Sequence, residues 1–282
     1  MPIEEDNQAV SSRTLLVPEA ESTFTLAASG GIGKGKSRLL RKLAFKIYKE
    51  KFNRCITVNP SGKLDKDFKK FLSERFLTFN VDLDYVVRCE IAANENERRL
   101  ETYGPDVELL RVKRIKPHIT TMDPEDFHTK YSIGIIEELV EEQTEIIEKY
   151  GKSLASNILL VFDDSIASAC FSRSHTDLLS ILISNCRHLK ISVIFAVQKF
   201  RCIPSLIREN LTAVMFFESS PKELETIHDT FDLEMPFSDW LLIMQSLFKK
   251  EYDYIQINLR NNKKHRLIYK IYKFVILNSQ GA

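Results

Sequence analysis

Phe24-Thr25-Leu26-Ala27-Ala28-Ser29-Gly30-Gly31-Ile32-Gly33-Lys34-Gly35-Lys36-Ser37 is the stretch that decides the fold. It opens as a short apolar run, the pattern of a buried strand, and passes directly into a glycine-rich loop. Gly30 to Ser37 fits G-x-x-x-x-G-K-[ST] at every fixed position. The whole chain holds only nine glycines in 282 residues, so their clustering here carries information. Helical spacing follows at once, with Leu39, Leu40, Leu43, Ala44 and Ile47 on one stripe between lysines and arginines. A second strand, Cys55 to Val58, then ends at the loop Asn59-Pro60-Ser61-Gly62. Strand, glycine loop, helix and strand is the opening of a βαβ unit with a parallel sheet.

The chemistry explains the composition of the loop. Backbone N–H groups must curl around a β-phosphate, which requires positive φ and no side chain in the way. The helix that follows adds its N-terminus to the anion site. Gly30, Gly31, Ile32, Gly33, Lys34, Gly35, Lys36, Ser37 and Arg38 therefore form the expected ATP-binding set. Within it Lys36 brings a point charge to the β/γ-phosphates, and the Ser37 hydroxyl is expected on Mg²⁺. Lys34 admits two readings, an additional phosphate contact or a side chain pointing to solvent.

The sheet signal returns at Ile158-Leu159-Leu160-Val161-Phe162, a continuous apolar run of the kind buried on both faces, and stops at Asp163-Asp164. A phosphate-loop enzyme needs a carboxylate there to hold Mg²⁺ through its water shell, the role read for Asp163. Asp164 is read as the group that orients or deprotonates the attacking water. The next buried strand, Ile191 to Val197, ends at Gln198, whose amide is placed to sense the γ-phosphate. Loop, acids and glutamine together point to ATP hydrolysis coupled to movement.

The remaining elements are read more coarsely. Residues 1–18 form a loose arm, and 19–282 one domain with an insertion at about 63–150 that ends in an acidic helix from about Pro124 to Tyr150. The runs Glu137-Glu138 and Glu141-Glu142 are that helix's solvated face. Helices are predicted from about Thr176 to Arg187, Pro221 to Phe231 and Trp240 to Phe248, and a strand over Ala213 to Phe217. Tyr252 to Leu259 and Leu267 to Ile276 read as two strands of a hairpin at a sheet edge. The fold class is α/β, with a mainly parallel central sheet flanked by helices and a C-terminal antiparallel hairpin.

Composition narrows the function. The 40 basic and 39 acidic side chains leave a formal charge of +1, so any grip on nucleic acid is local or repeated by subunits rather than spread over the chain. Hydrophobic residues make up 44%, enough to build a core and to exclude wholesale disorder. Cys55, Cys89, Cys170, Cys186 and Cys202 have neither zinc spacing nor a disulfide pattern, and are expected as buried thiols in a reducing compartment. Met1 to Val10 is acidic and polar, so no secretory signal is expected, and no apolar run approaches the length of a membrane span.

At these residues the sequence resembles a known family. Ile158 to Asp164, the Arg187-His188 pair leading into a strand that ends in Gln198, and Pro204-Ser205-Leu206-Ile207-Arg208-Glu209-Asn210 are similar to the poxvirus-type genome-packaging ATPases of large DNA viruses and virophages, a branch of the FtsK–HerA superfamily. The resemblance covers about residues 22–220. It implies a RecA/ASCE-like P-loop ATPase that assembles as a ring, a pentamer or hexamer, and drives double-stranded DNA into a preformed capsid through a capsid or portal partner. It places Asp163 on the metal-binding acid, Asp164 where a catalytic Glu is usual, and Gln198 on the polar sensor. An arginine reaching the neighbour's γ-phosphate is implied as well, with Arg208 preferred over Arg187. The expected location is the virion assembly site in the host cell, a cytoplasmic factory, with association with the virion itself as the alternative. DNA contacts, sequence-independent and to phosphates, fall on clusters such as Lys63 to Lys70 or Arg111 to Lys116, which ordinary solvated surface explains equally well. A cellular-type DNA pump of the same superfamily, a P-loop kinase unrelated to DNA, and a non-enzymatic virion component that only binds nucleotide are the alternatives.

Overall fold

The computed structural model describes residues 23–43, 48, 51–59, 98, 102, 126–153, 155–163, 173–231, 233, 235–260, 267–269 and 273–274. The predicted arm at 1–18, most of the predicted insertion, Asp164 and both basic clusters lie outside the described residues.

Among the described residues, nine strands form one sheet. In chain order they are β1 (Thr25–Ser29), β2 (Arg54–Val58), β3 (Phe127–His128), β4 (Ile158–Asp163), β5 (Ile191–Val197), β6 (Ala213–Phe217), β7 (Tyr254–Asn258), β8 (Leu267–Tyr269) and β9 (Lys273–Phe274). Their spatial order is β3-β2-β4-β5-β1-β6-β7-β8-β9. The first six in that order run parallel, and the last three are joined antiparallel. This is the P-loop NTPase arrangement in its RecA/ASCE-like form. The phosphate-loop strand β1 lies in the middle, and β5 is inserted between it and the acid-bearing β4.

The helices are α1 (Lys36–Lys42), α2 (Ile133–Tyr150), α3 (Arg173–Leu189), α4 (Ser205–Glu209), α5 (Pro221–Phe231) and α6 (Phe237–Leu247). Because successive strand residues point to opposite faces, each central strand feeds two cores. Ile158, Leu160 and Phe162 of β4, with Val193 and Phe195 of β5, face α2, α3, α5 and α6; Phe162 and Phe195 stack with centroids 5.3 Å apart. Leu159 and Val161 face the other way, with Leu26 and Ala28, onto Leu39, Leu40 and Leu43 at α1. A strand apolar on both faces is stable only in such a sandwich, which explains the unbroken hydrophobic runs.

Beyond shifts of one to three residues at element ends, the structure differs from the sequence reading at three points. The acidic helix begins at Ile133 rather than near Pro124, capped by the Ser132 hydroxyl, which accepts from the Gly134 N–H at 3.2 Å. Phe127 and His128, ahead of it, pair with Thr57 and Val58 as an edge strand. Asp126 anchors that edge by receiving Arg54 Nε and a terminal guanidinium nitrogen, at 2.9 and 2.7 Å. These bonds raise the Arg54 pKa above its ordinary value and keep the cation in place. Residues 127–150, counted with the insertion in the sequence reading, thus supply a sheet strand and a core helix, with Ile136 and Leu139 buried. At the other end, Leu267 to Ile276 is not one strand. Ile268 pairs with Phe274 and Tyr269 with Lys273, so the chain reverses and the hairpin gains a third strand. Alternation alone does not reveal such a reversal, because both short strands keep the same period.

Candidate active site

All parallel strands of this sheet end at one edge, and that edge gathers the polar residues. Gly30 continues β1 and its N–H donates to Val197 O of β5 at 3.1 Å, which ties the start of the loop to the end of β5. A side chain at Gly30 would bring its Cβ within 2.8 Å of Phe217 Cβ at the end of β6. Gly35 adopts φ 96, in the left-handed region, and opens α1. The loop is therefore narrow for a geometric reason: aromatic walls stand where side chains would go.

Lys36 is buried, and its ammonium donates to the carbonyls of Gly30 and Gly31 at 2.7 and 2.9 Å, so the charge sits over the loop it must serve. Ser37 Oγ donates to Asp163 Oδ1 at 3.0 Å, joining residues 126 positions apart in the chain. The second oxygen, Asp163 Oδ2, receives the Asn59 amide at 3.3 Å. Hydroxyl and carboxylate form an all-oxygen donor pair on facing elements, which suits a hard cation such as Mg²⁺. Ser37 and Asp163 are the residues that would hold it.

Asn59 is the part of the site that sequence reading missed. The sequence shows it only as the start of an Asn-Pro-Ser-Gly loop after a strand; that this strand lies in register beside the acid-bearing one, Val58 beside Phe162, comes from the fold. Asn59 is itself buried, and its N–H donates to His128 O of the edge strand at 2.9 Å.

Other predicted residues are distributed unequally. Gln198 follows β5 immediately and is exposed at the same edge, since Val197 is in register with Ser29. Lys34 pairs with Glu218 at 2.7 Å, just beyond β6, in a surface ion pair with both side chains exposed. Ile32 stands 82% exposed at the loop crest, and Arg38 is exposed on the first turn of α1. Arg208 lies elsewhere: four residues after it, Thr212 N–H donates to Thr25 O at the start of β1, which is the opposite edge of the sheet. There its guanidinium lies over Phe200, 5.7 Å from the ring centroid, and donates to Thr230 Oγ1 at 3.3 Å. Arg187, in the last turn of α3 ahead of β5, is exposed at that same far edge. Neither arginine contacts the phosphate loop of its own chain.

The cysteines among the described residues take no part. Cys55 is buried, and burial pushes its thiol up to about 12, which removes it as a nucleophile; Cys186 is buried and Cys202 exposed. No described helix is long and apolar enough to cross a membrane.

Comparison with known proteins agrees with this geometry. Residues 115–277, more than half of the chain, match the family described as Poxvirus A32 protein. The match starts after the phosphate loop, so the loop motif and the family match are independent observations. Among solved structures, B204, the DNA-packaging ATPase from Sulfolobus Turreted Icosahedral Virus, superposes with a TM-score of 0.50 at 13% identity, covering 84% of this chain and 92% of its own. The genome packaging NTPase B204 from Sulfolobus turreted icosahedral virus 2, in complex with ATP-gammaS, gives 0.49 at 12% identity, covering 90% and 98%. No curated protein sequence matches the chain.

Proposed function

Because the chain belongs to the Poxvirus A32 protein family, we propose that it is an ATPase that packages a viral genome, driving double-stranded DNA into a preformed capsid as a homo-oligomeric ring. The observation that carries this reading is the junction of Lys36, Ser37 and Asp163 at one edge of a P-loop sheet. The loop N–H groups and Lys36 bind the triphosphate, and Lys36 stabilises charge building on the transferred phosphoryl oxygens. Bound Mg²⁺ would neutralise the β/γ oxygens from its place on Ser37 and Asp163. Asn59 fixes the orientation of Asp163, and Gln198 lies where a side chain detects the γ-phosphate. Asp164, next in the chain, is assigned the attacking water.

The ring supplies what one subunit lacks. We assign the trans-acting arginine to Arg208, or else to Arg187, since Arg208 holds Thr230 and Phe200 and Arg187 is exposed ahead of β5, both away from the chain's own phosphate loop. With a chain charge of +1, DNA is held by a few basic residues repeated around the pore. The partner is a capsid or portal component, and the place of action is the cytoplasmic factory where virions assemble.

The deciding experiment is steady-state ATP hydrolysis with Mg²⁺, with and without long double-stranded DNA, at two salt concentrations. Hydrolysis stimulated by DNA, more strongly at low salt, is the expected result. ATP consumption that appears only with a small-molecule acceptor, the phosphoryl group passing to it, and that ignores DNA would replace the motor by a kinase. Asp164→Asn should keep ATP binding and stop turnover.

A further inference from the structure

Tyr252 has a conformation and a position that the phosphate chemistry does not explain. It is one of two described non-glycine residues with positive φ, at 66°, an uncommon backbone state for a bulky side chain. It is also one of the few large apolar side chains left in solvent, with 44% of its surface exposed. Its ring packs on the phosphate loop: a Cβ on Gly35 would lie 2.9 Å from Tyr252 Cδ1.

The turn that presents it is built for the purpose. Asp253, buried at the start of the β7 hairpin, accepts the N–H groups of Lys249 and Lys250 on Oδ2 at 3.2 and 2.9 Å. Its own N–H donates to Lys250 O at 3.1 Å. Tyr252 is thereby held in the left-handed region by bonds on its neighbours. Because β7 runs antiparallel to β6, with Phe217 beside Tyr254, the entry to β7 opens at the same edge as the end of β1.

The direction of a bound nucleotide follows from the site already described. Its γ-phosphate and metal end is fixed by Ser37 and Asp163, on the β4 and β5 side of β1. The ribose and base must leave the loop on the other side of β1, over β6 and β7. The exposed aromatic face there is Tyr252. We propose that Tyr252 is the stacking platform for the nucleotide base, setting ATP affinity from the side of the loop opposite the chemistry. Every nucleobase has a π-face, so such a platform favours nucleotides over bare polyphosphate without selecting strongly among bases.

This inference rests on the phosphate-loop reading, and the test separates the two. Affinities of the full-length chain for ATP and for inorganic tripolyphosphate are measured in Mg²⁺ for the unsubstituted protein, Tyr252→Ala and Tyr252→Phe. Tyr252→Ala should weaken ATP by about tenfold, the scale of a lost base–aromatic stack, while tripolyphosphate binds as before. Tyr252→Phe, which keeps the ring face, should restore ATP affinity. Equal weakening of both ligands would reduce Tyr252 to a prop for Gly35 and overturn the proposal, as would no weakening of ATP. Failure of the unsubstituted chain to bind either ligand would overturn the phosphate-loop reading beneath it.

Discussion

The two halves of the sheet that flank β1 end in opposite ways. On the β2, β4 and β5 side the strands run parallel and finish in Asn59, Asp163 and Gln198. On the β6 and β7 side the sheet turns antiparallel, and the same edge carries Phe217, Tyr252 and Tyr254. The polar half builds a charged, hydrogen-bonded wall where phosphate and metal charge must be met. The aromatic half presses on Gly30 and Gly35 and shapes the loop, with Glu218 pairing to Lys34 at its margin. On the proposed reading the difference separates two jobs that one P-loop must do together: one half would stabilise the reaction, the other would set the shape and position of what reacts.

Substitutions at the centre and on the two halves should therefore fail differently. Lys36→Ala, on the axis between them, should lower hydrolysis by about a thousandfold, the scale for removing a preorganised donor to a developing charge, with the circular dichroism spectrum unchanged. Retained turnover would remove the central assignment. On the polar half, Asp163→Asn should cut kcat by about a hundredfold or more while nucleotide still binds, since its amide oxygen can accept the Ser37 bond but carries no charge for the metal. Raising Mg²⁺ should recover part of that loss.

Asn59→Ala tests whether the polar half is a unit. It strips one oriented donor from Asp163 and should cost about tenfold in activity or in apparent Mg²⁺ affinity, as outer-shell partners of metal-holding carboxylates do. Unchanged Mg²⁺ dependence would make Asn59 a strand-end bond and nothing more. On the aromatic half, Gly35→Ala should weaken ATP and tripolyphosphate alike, because φ 96 strains any Cβ whatever room is made for it. Adding Tyr252→Ala should relieve the 2.9 Å contact but not the strain, so tripolyphosphate binding recovers only in part; its full recovery would make the ring the sole obstacle. The smallest effect belongs to the far edge. Arg208→Ala should leave ATP binding by isolated subunits unchanged and cost about 1 kcal/mol of stability in thermal unfolding, through lost packing on Phe200 and the bond to Thr230.

Much of this molecule could be read before folding, for identifiable reasons. Glycine spacing and strand runs are local, so Gly30 to Ser37, β4, β5, β6 and α5 appear where composition puts them. The acidic pattern of α2 likewise marks its solvated face, with Glu137, Glu138, Glu141 and Glu142 exposed and Ile136 and Leu139 buried. What escaped was non-local. The reversal between β8 and β9, the edge strand Phe127–His128, and Asn59 all depend on which strands become neighbours, and no window of sequence contains that information.

The sequence by itself determined that this chain closes a phosphate-binding loop between a buried strand and a helix. Only a few residue types tolerate that backbone and carry that charge, and they stand consecutively. Tertiary structure alone decided the rest of the site. Strand order brought Ser37 to Asp163 across 126 positions and set Asn59 beside them. The antiparallel turn of β7 delivered Tyr252 to Gly35, and the descent through α4 carried Arg208 to the opposite edge. Hydrogen-bond pairing between strands is what fixes those neighbours, and pairing is settled by the packing of both cores at once rather than by any single segment.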